Sequence, residues 1–215
     1  MIIFNTIWQH LLETLYMVGS SCVLAIVFGL PLGVFLCITK KNSIMPMPLT
    51  NKILGSIVNI VRSFPFIILI ILLLPLSRII VGTSVGSTTA IIPLTISAIP
   101  FIARLFEGAF DEVDKGLIEA TKSMGAKKAT IVKMMIFESM PSLVNAITIT
   151  IISLISYSAM AGAVGAGGLG DLAIRIGYQT YRPDILMYSV ITIIVLVQII
   201  QSGGDLIVKI LRRHR

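Results

Sequence analysis

Residues 139–170 read SMPSLVNAITITIISLISYSAMAGAVGAGGLG, and none of these 32 residues is charged. They lie between Glu138 and Asp171. Because a helix needs about 20 apolar residues to cross the hydrocarbon core of a bilayer, this stretch predicts a membrane span. Uncharged stretches of 26, 25 and 20 residues elsewhere in the chain predict three more spans. A fifth stretch, residues 53–77, is interrupted only by Arg62, whose long side chain can reach a membrane face.

The composition agrees with a membrane protein. Hydrophobic residues make up 56% of the chain and charged residues 13%, whereas a soluble domain carries about a quarter charged residues. We therefore predict an all-α integral membrane protein with five transmembrane helices in a single transmembrane domain, residues 1–215. The predicted spans are residues 14–39, 53–77, 79–103, 139–165 and 185–208.

The basic residues are distributed unevenly along the chain, which predicts its orientation. Of the 17 lysines and arginines, 14 fall in segments on one side of the predicted spans, and only Arg78, Arg175 and Arg182 fall on the other. Basic residues accumulate on the cytoplasmic side of membrane proteins, so we expect the N-terminus outside and the C-terminus in the cytoplasm. Lipid headgroups account for the net charge of +7 without nucleic acid. The first basic residue is Lys40, so we expect no cleaved leader.

The predicted cytoplasmic loop, residues 104–138 between spans three and four, has its own helical pattern. Small or apolar residues recur at helical spacing at Val113, Leu117, Thr121 and Met124. This spacing predicts a short amphipathic helix that stops near Gly125. A second helical segment leads from there into the fourth span. On the pattern alone, an interfacial helix lying on lipid is the alternative.

For several motifs, the surrounding sequence argues against the binding or catalytic role that the motif suggests. Residues 165–170, GAGGLG, match the G-x-G-x-x-G pattern of dinucleotide-binding folds, but they follow a predicted membrane span rather than a strand. Cys22 and Cys37 lie 15 residues apart in one span, and His10 and His214 lie near opposite ends of the chain. We therefore predict no catalytic, cofactor-binding or metal-binding residue, and no enzyme activity in this chain.

The energy source of any transport is also constrained by what the sequence contains. None of the five predicted spans holds an aspartate or glutamate in its interior, where many carriers couple to protons or sodium, and Asp205 sits at the end of the fifth span. The chain also has no G-x-x-x-x-G-K-[ST] phosphate-binding loop. If ATP drives transport, another subunit must hydrolyse it.

Polar residues gather on one side of the fourth predicted span. At 100° per residue, seven of them fall within about 80° of the direction of Ser142, with Thr148 and Ser158 as exceptions. They are Ser142, Asn145, Thr150, Ser153, Ser156, Tyr157 and Met160. Such a stripe suits a pathway for a small polar or zwitterionic solute. The same groups are equally typical of contacts between helices, and both interpretations hold if two copies pair through this face.

The predicted cytoplasmic loop contains a recognisable motif. Residues 119–126, EATKSMGA, with Ile136 and Pro141 after them, resemble the EAA loop of ATP-binding-cassette (ABC) importer permeases. Residues 60–68, 99–104 and 157–170 resemble the methionine importers of that family. Two positions depart from the common pattern: Thr121 replaces the second alanine, and Phe137 stands where many relatives have proline.

The resemblance implies a complete assembly. In this family two permease copies form the pathway, and two cytoplasmic ABC ATPase subunits bind ATP and magnesium. An extracytoplasmic methionine-binding lipoprotein delivers the solute, and the assembly lies in the bacterial inner membrane. The implied substrate is methionine or a closely related amino acid. We expect residues 171–184 to meet the binding protein. The alternative is a channel-like or structural membrane protein without ATPase coupling.

The resemblance and the polar stripe together name the expected site residues. The cytoplasmic segment is expected to contain coupling helices that dock on the ATPase. The coupling residues are Glu119, Ala120, Thr121, Met124, Gly125 and Ala126. The pathway and gate residues are Asn145, Ser153, Ser156, Tyr157 and Met160, of which Tyr157 and Met160 match positions near the gate of the family.

Overall fold

The computed structural model describes residues 2–41 and 43–213, and these residues fold into a helical bundle. Met1, Asn42, His214 and Arg215 of the predicted domain lie outside the described residues. The helices are α1 (Ile2–Ile38), α2 (Pro48–Ser63), α3 (Phe66–Val81), α4 (Ser87–Asp111), α5 (Lys115–Ser123), α6 (Lys128–Glu138), α7 (Met140–Gly162), α8 (Gly168–Asp171), a π-helix (Leu172–Tyr178) and α9 (Pro183–Arg213).

Four helices of the described residues are long and apolar enough to cross a membrane: α1, α4, α7 and α9. A fifth crossing exists if α2 and α3 together count as one span. These two helices meet at an angle of 102°, so residues 53–77 are not the single straight helix expected from hydropathy. Pro65 accounts for the break, because a proline disfavours helical geometry at the preceding residue. Phe64 is accordingly extended, with φ −71° and ψ 128°.

The third span is displaced from its predicted position. Residues 79–103 were expected to form it, but α3 runs to Val81 and α4 extends from Ser87 to Asp111. The predicted loop of residues 104–138 therefore begins inside a helix. Charge alone does not end α4, because Arg104 and Glu107 lie one turn apart and form an ion pair along it.

The core lies where α1, α4 and α7 pack together. Met17, Leu94, Ile102, Phe106 and Leu154 are almost completely buried there. Helices α1 and α4 approach closely at two glycines of α1. A Cβ atom on Gly29 would lie 2.3 Å from Cγ2 of Ile102, and one on Gly33 would lie 2.8 Å from the carbonyl oxygen of Ala103. Small residues at this crossing let the two backbones meet.

Candidate functional site

Helix α5 is defined at both ends by local chemistry. Its N-cap is Asp114, whose side chain accepts a hydrogen bond of 3.1 Å from the backbone N–H of Leu117. Capping of this kind satisfies a donor that the first helical turn leaves free. The helix ends at Ser123, and Gly125 follows with φ +75°, a conformation that favours glycine. The amphipathic helix expected to stop near Gly125 is therefore present.

The six expected coupling residues divide between the two sides of α5. Glu119, Ala120 and Met124 form an exposed surface, here called the α5 face, and Met124 is 78% exposed. Gly125 is exposed and Ala126 is half-buried. Thr121 is buried, and its hydroxyl donates to the carbonyl oxygen of Leu117 at 2.7 Å. The structure thus presents Glu119 on the open side and turns Thr121 inward.

A cavity of about 310 Å³ lies beside α5, between the C-terminal ends of α1 and α4. Its lining combines apolar side chains with charges of both signs. The lining residues are Cys37, Lys40, Ser43, Ile44, Phe110, Asp111, Val113, Lys115, Ile118, Glu119, Lys122 and Met135. Within the part of the chain that the structure describes, Glu119 makes no hydrogen bond or ion pair. Its carboxylate is therefore available to a partner.

Four charged residues form an ionic network next to this cavity: Lys40, Arg104, Glu107 and Asp111. Glu107 is only 6% exposed, and its two oxygens lie 2.9 Å from Lys40 Nζ and 2.6 Å from Arg104 Nη1. Lys40 also pairs with Asp111. Burial acts to lower the pKa of Lys40, but its hydrogen bonds to Asp111 and Glu107 outweigh that effect and raise the pKa. Lys40 therefore stays charged at neutral pH.

The ionic network also reaches α2. Arg104 Nη2 donates to the carbonyl oxygen of Gly55 at 2.9 Å and to Oδ1 of Asn59 at 3.1 Å. No sequence pattern identified this network as a site. Only the spacing of Arg104 and Glu107, three residues apart, could have indicated one of its pairs. Lys40 and Gly55 lie far from them along the chain.

At the second expected site, α7 presents most of its predicted polar residues together. Asn145, Ser153, Ser156 and Met160 lie on one open side, here called the α7 polar face, and Met160 is 45% exposed. The two serine hydroxyls donate to the carbonyl oxygens of Ile149 and Ile152. Their lone pairs therefore remain available as acceptors.

Thr150 does not belong to this open face, although its helical phase placed it on the stripe. It is fully buried, and its hydroxyl donates to the carbonyl oxygen of Ala146 at 2.8 Å. Its direction, near the edge of the stripe, already lies within the contact between helices. Thr148, one of the two exceptions, packs against Gly204 of α9, where a Cβ atom would lie 2.2 Å from the threonine hydroxyl.

Tyr157, the remaining expected gate residue, is half-buried and stacks on Phe66. The ring centroids are 4.7 Å apart and the planes differ by 13°. Phe66 is the first residue of α3, directly after the break at Pro65. The bent pair α2–α3 therefore touches α7 at the predicted gate. Both segments resemble the methionine importers in sequence, but no local pattern predicted their contact.

The glycine-rich segment after α7 is a structural turn. Gly165, Gly167 and Gly168 all have positive φ. The N–H of Gly168 donates to Glu13 Oε2 at 2.7 Å, and the N–H of Leu169 donates to Thr14 Oγ1 at 2.9 Å. A carboxylate and a hydroxyl thus occupy two backbone donors that a phosphate would need. Among the described residues, no group of His, Cys, Asp and Glu could hold a metal ion.

Within residues 171–184, Arg175 and residues 178–184 are exposed, at the end of the bundle opposite α5. Asp171 is buried and accepts two hydrogen bonds from Arg175, at 2.8 and 2.7 Å. Arg182 binds Asp184 in the same forked manner. Tyr178 and Tyr181 project outward, the latter 91% exposed. Two oriented arginines and two aromatic rings are typical of a protein-binding surface.

Comparison with known proteins identifies relatives along nearly the whole chain. The model of the family described as binding-protein-dependent transport system inner membrane component matches residues 25–215. A Vibrio cholerae protein named as probable D-methionine transport system permease protein MetI is 48% identical over 209 residues, 97% of this chain and 91% of its own length. The Bacillus subtilis methionine import system permease protein MetP is also 48% identical, over 97% of this chain and 94% of its own.

A solved structure gives the same result for the fold. A chain of the MetNI methionine ABC transporter, in an inward-facing conformation, superposes with a TM-score of 0.95 at 44% sequence identity. The match covers 97% of both chains.

Proposed function

The chain belongs to the binding-protein-dependent transport system inner membrane component family, and from that premise we propose that it forms, as a homodimer, the transmembrane pathway of an ATP-driven methionine importer. The chain is a permease subunit of the bacterial inner membrane, and ATP hydrolysis belongs to a separate subunit. The observation that carries the substrate is the near full-length similarity to the MetNI chain, at 44% identity. Methionine is the solute of that relative and of MetP.

The α5 face is the proposed docking site for the ATPase. Helix α5 is short, is capped by Asp114 and ends just before Gly125. It moves as a stiff unit, so force applied at one point is transmitted along it. Glu119 and Met124 are both exposed and offer one charge and one adaptable apolar group. This proposal places α5 and α6 in the cytoplasm, with the N-terminus outside and the C-terminus inside, as the basic residues predict.

The α7 polar face of two copies is the proposed solute pathway. It contains no charged side chain, so a zwitterion passes without a strong ionic trap. Asn145 and the serine hydroxyls can bind the charged ends of an amino acid, while Met160 and Tyr157 offer polarisable surface to a thioether side chain. A pathway of this kind releases its solute readily, because no single contact is strong.

Residues 171–184 are the proposed contact area for the extracytoplasmic binding protein. Exposed tyrosines anchor protein interfaces well, since each contributes a large area with few rotatable bonds. The forked pairs of Arg175 and Arg182 hold both guanidinium groups in place at this surface.

Uptake of labelled methionine tests the proposal. Vesicles would contain this chain, its ATPase and its binding protein, and uptake would be measured with and without ATP. We expect ATP-dependent accumulation that other amino acids do not compete away. Uptake of a different solute would refute the methionine assignment and retain the coupling. Uptake that does not depend on ATP would support a channel-like protein instead.

A further inference from the structure

We propose that Glu107 is a positioning residue that links the α5 end of the permease to the bent pair α2–α3, so that movement of the docked helix reaches Tyr157. The inference rests on the proposed function. It concerns residues outside both the α5 face and the α7 polar face. It is built from contacts that join Lys40, just after α1, to α4, then α4 to α2, and finally α3 to α7.

The centre of the link is the shared carboxylate. Each oxygen of Glu107 binds a different cation, Lys40 at 2.9 Å and Arg104 at 2.6 Å. Because the group is buried, losing either cation would leave a charge that water does not reach, which is costly. Glu107 therefore keeps both partners as the helices move, and the three side chains shift together.

The first end of the link lies at the docking helix. Asp111 is the last residue of α4, and only residues 112–114 separate it from α5. Lys40 pairs with Asp111 as well as with Glu107, and both Lys40 and Asp111 line the cavity that Glu119 also lines. Any displacement of α5 thus acts on the end of α4, one turn beyond Glu107.

The second end lies at the predicted gate. Arg104 uses its other terminal nitrogen to hold Gly55 and Asn59 of α2, which the planar fork of a guanidinium allows. Helix α2 ends at Ser63, and the break at Pro65 follows it. Phe66 then stacks on Tyr157. A shift of α2 is transferred through the break to this aromatic contact.

The variant Glu107→Gln separates the two ends without removing either. Glutamine keeps the shape of the side chain, while Lys40 retains Asp111 and Arg104 retains α2. In reconstituted vesicles we expect the ATPase to bind and hydrolyse ATP as before, and the methionine accumulated per ATP hydrolysed to fall about tenfold. The matched control, Asp205→Asn, makes the same chemical change at an exposed carboxylate of α9 that binds Gln201 and takes no part in the link, and its ratio should stay within about twofold of the unmodified chain.

A second variant tests the link independently, in case Glu107→Gln does not fold. Arg104→Lys keeps a positive charge beside Glu107 but cannot bind Glu107 and α2 at once, so we expect the same fall in the ratio. This result would support the link even if Glu107→Gln failed to assemble. An unchanged ratio in either assembled variant, while the unmodified chain transports methionine with ATP, would overturn the link and leave the proposed function intact. Absence of ATP-driven uptake by the unmodified chain would overturn both.

A distance measurement tests the movement itself. Spin labels on Ser56 of α2 and Ser123 of α5, both exposed, report how these helices move relative to each other. With Cys22 and Cys37 replaced by alanine, ATP should leave the distance distribution nearly unchanged in the linked chain and broaden or shift it in Glu107→Gln. The same response to ATP in both chains would contradict the proposed link.

Discussion

A buried hydroxyl at position 121 is accommodated because its own helix supplies the acceptor. The EAA pattern has alanine there, and the threonine of this chain fits by donating to Leu117. Its neighbour Glu119 has the opposite situation, exposed and without a partner among the described residues. Of these two side chains, two residues apart, Thr121 makes a hydrogen bond within its own helix and Glu119 is available for docking.

Glu119→Lys should uncouple the permease from its ATPase. The reversal places a cation where the partner surface must complement an anion, so we expect ATP-driven uptake to fall about tenfold or more, with normal membrane insertion. Co-purification of the ATPase measures the loss directly. Asp205→Lys makes the same chemical change at an exposed position of α9 and should retain the ATPase. Equal co-purification in both variants would refute the docking role of Glu119.

Gly125 and Gly168, two of the glycines with positive φ, lie at opposite ends of the bundle and should respond differently to alanine. At Gly125 a Cβ atom meets nothing within 4 Å, so Gly125→Ala costs only the strained conformation, about 1–2 kcal/mol. At Gly168 the same atom lies 2.7 Å from Thr14 Oγ1 and 2.8 Å from Met17 Cε, which adds about 1 kcal/mol or more. Thermal unfolding in detergent should rank Gly168→Ala as less stable. The reverse order would be evidence against the turn described here.

At the scale of helices, hydropathy locates elements better than it locates their ends. The charge-free stretches predicted α1, α4, α7 and α9, and the periodicity around Val113 predicted α5. Hydropathy did not predict that α4 continues to Asp111, because the charges of Arg104 and Glu107 indicated the start of a loop. Their charges are neutralised by contacts with Lys40 and each other, and a single sequence does not show partners so distant along the chain.

The break between α2 and α3 depends on Pro65, and this can be tested by replacing it. In Pro65→Ala the restriction on Phe64 disappears, so a continuous helix becomes possible. We expect spin labels at Ser56 and Ile79, both exposed, to move apart, and uptake to fall as Phe66 leaves Tyr157.

The control for this variant lies in the next helix. Pro75 is inside α3, which continues through it, so Pro75→Ala should change neither the distance nor the uptake by more than about twofold. A bend that persists in Pro65→Ala would show that packing, rather than the proline, holds the angle.

At the scale of the molecule, the importer family was predictable from eight residues, whereas the site geometry was not. Residues 119–126 indicated ABC importer permeases, and the family match confirms this. The side-chain contacts of Tyr157 and Glu107 required the structure, since each joins segments that no local pattern connects. The roles of the coupling and pathway residues remain predictions.

The polar face of α7 should mark where two copies meet. With the native cysteines replaced by alanine, Ser156→Cys is expected to form a disulfide between copies under mild oxidation, because this exposed polar face suits a shared pathway rather than lipid. Ile194→Cys, on the exposed apolar side of α9, should remain monomeric on a non-reducing gel. Cross-linking at Ile194 alone would place the interface on α9.

The contact between Glu13 and the turn at Gly168 also depends on the order in which the chain is synthesised. The two residues are 155 positions apart, yet the carboxylate of one is held by the backbone of the other. While the ribosome is still making α4, α1 has already been synthesised. The backbone donors that bind its Glu13 carboxylate have not yet been made. This contact can therefore form only after α7 and the turn that follows it have been made, and a chain that stops earlier leaves the Glu13 carboxylate without this backbone donor.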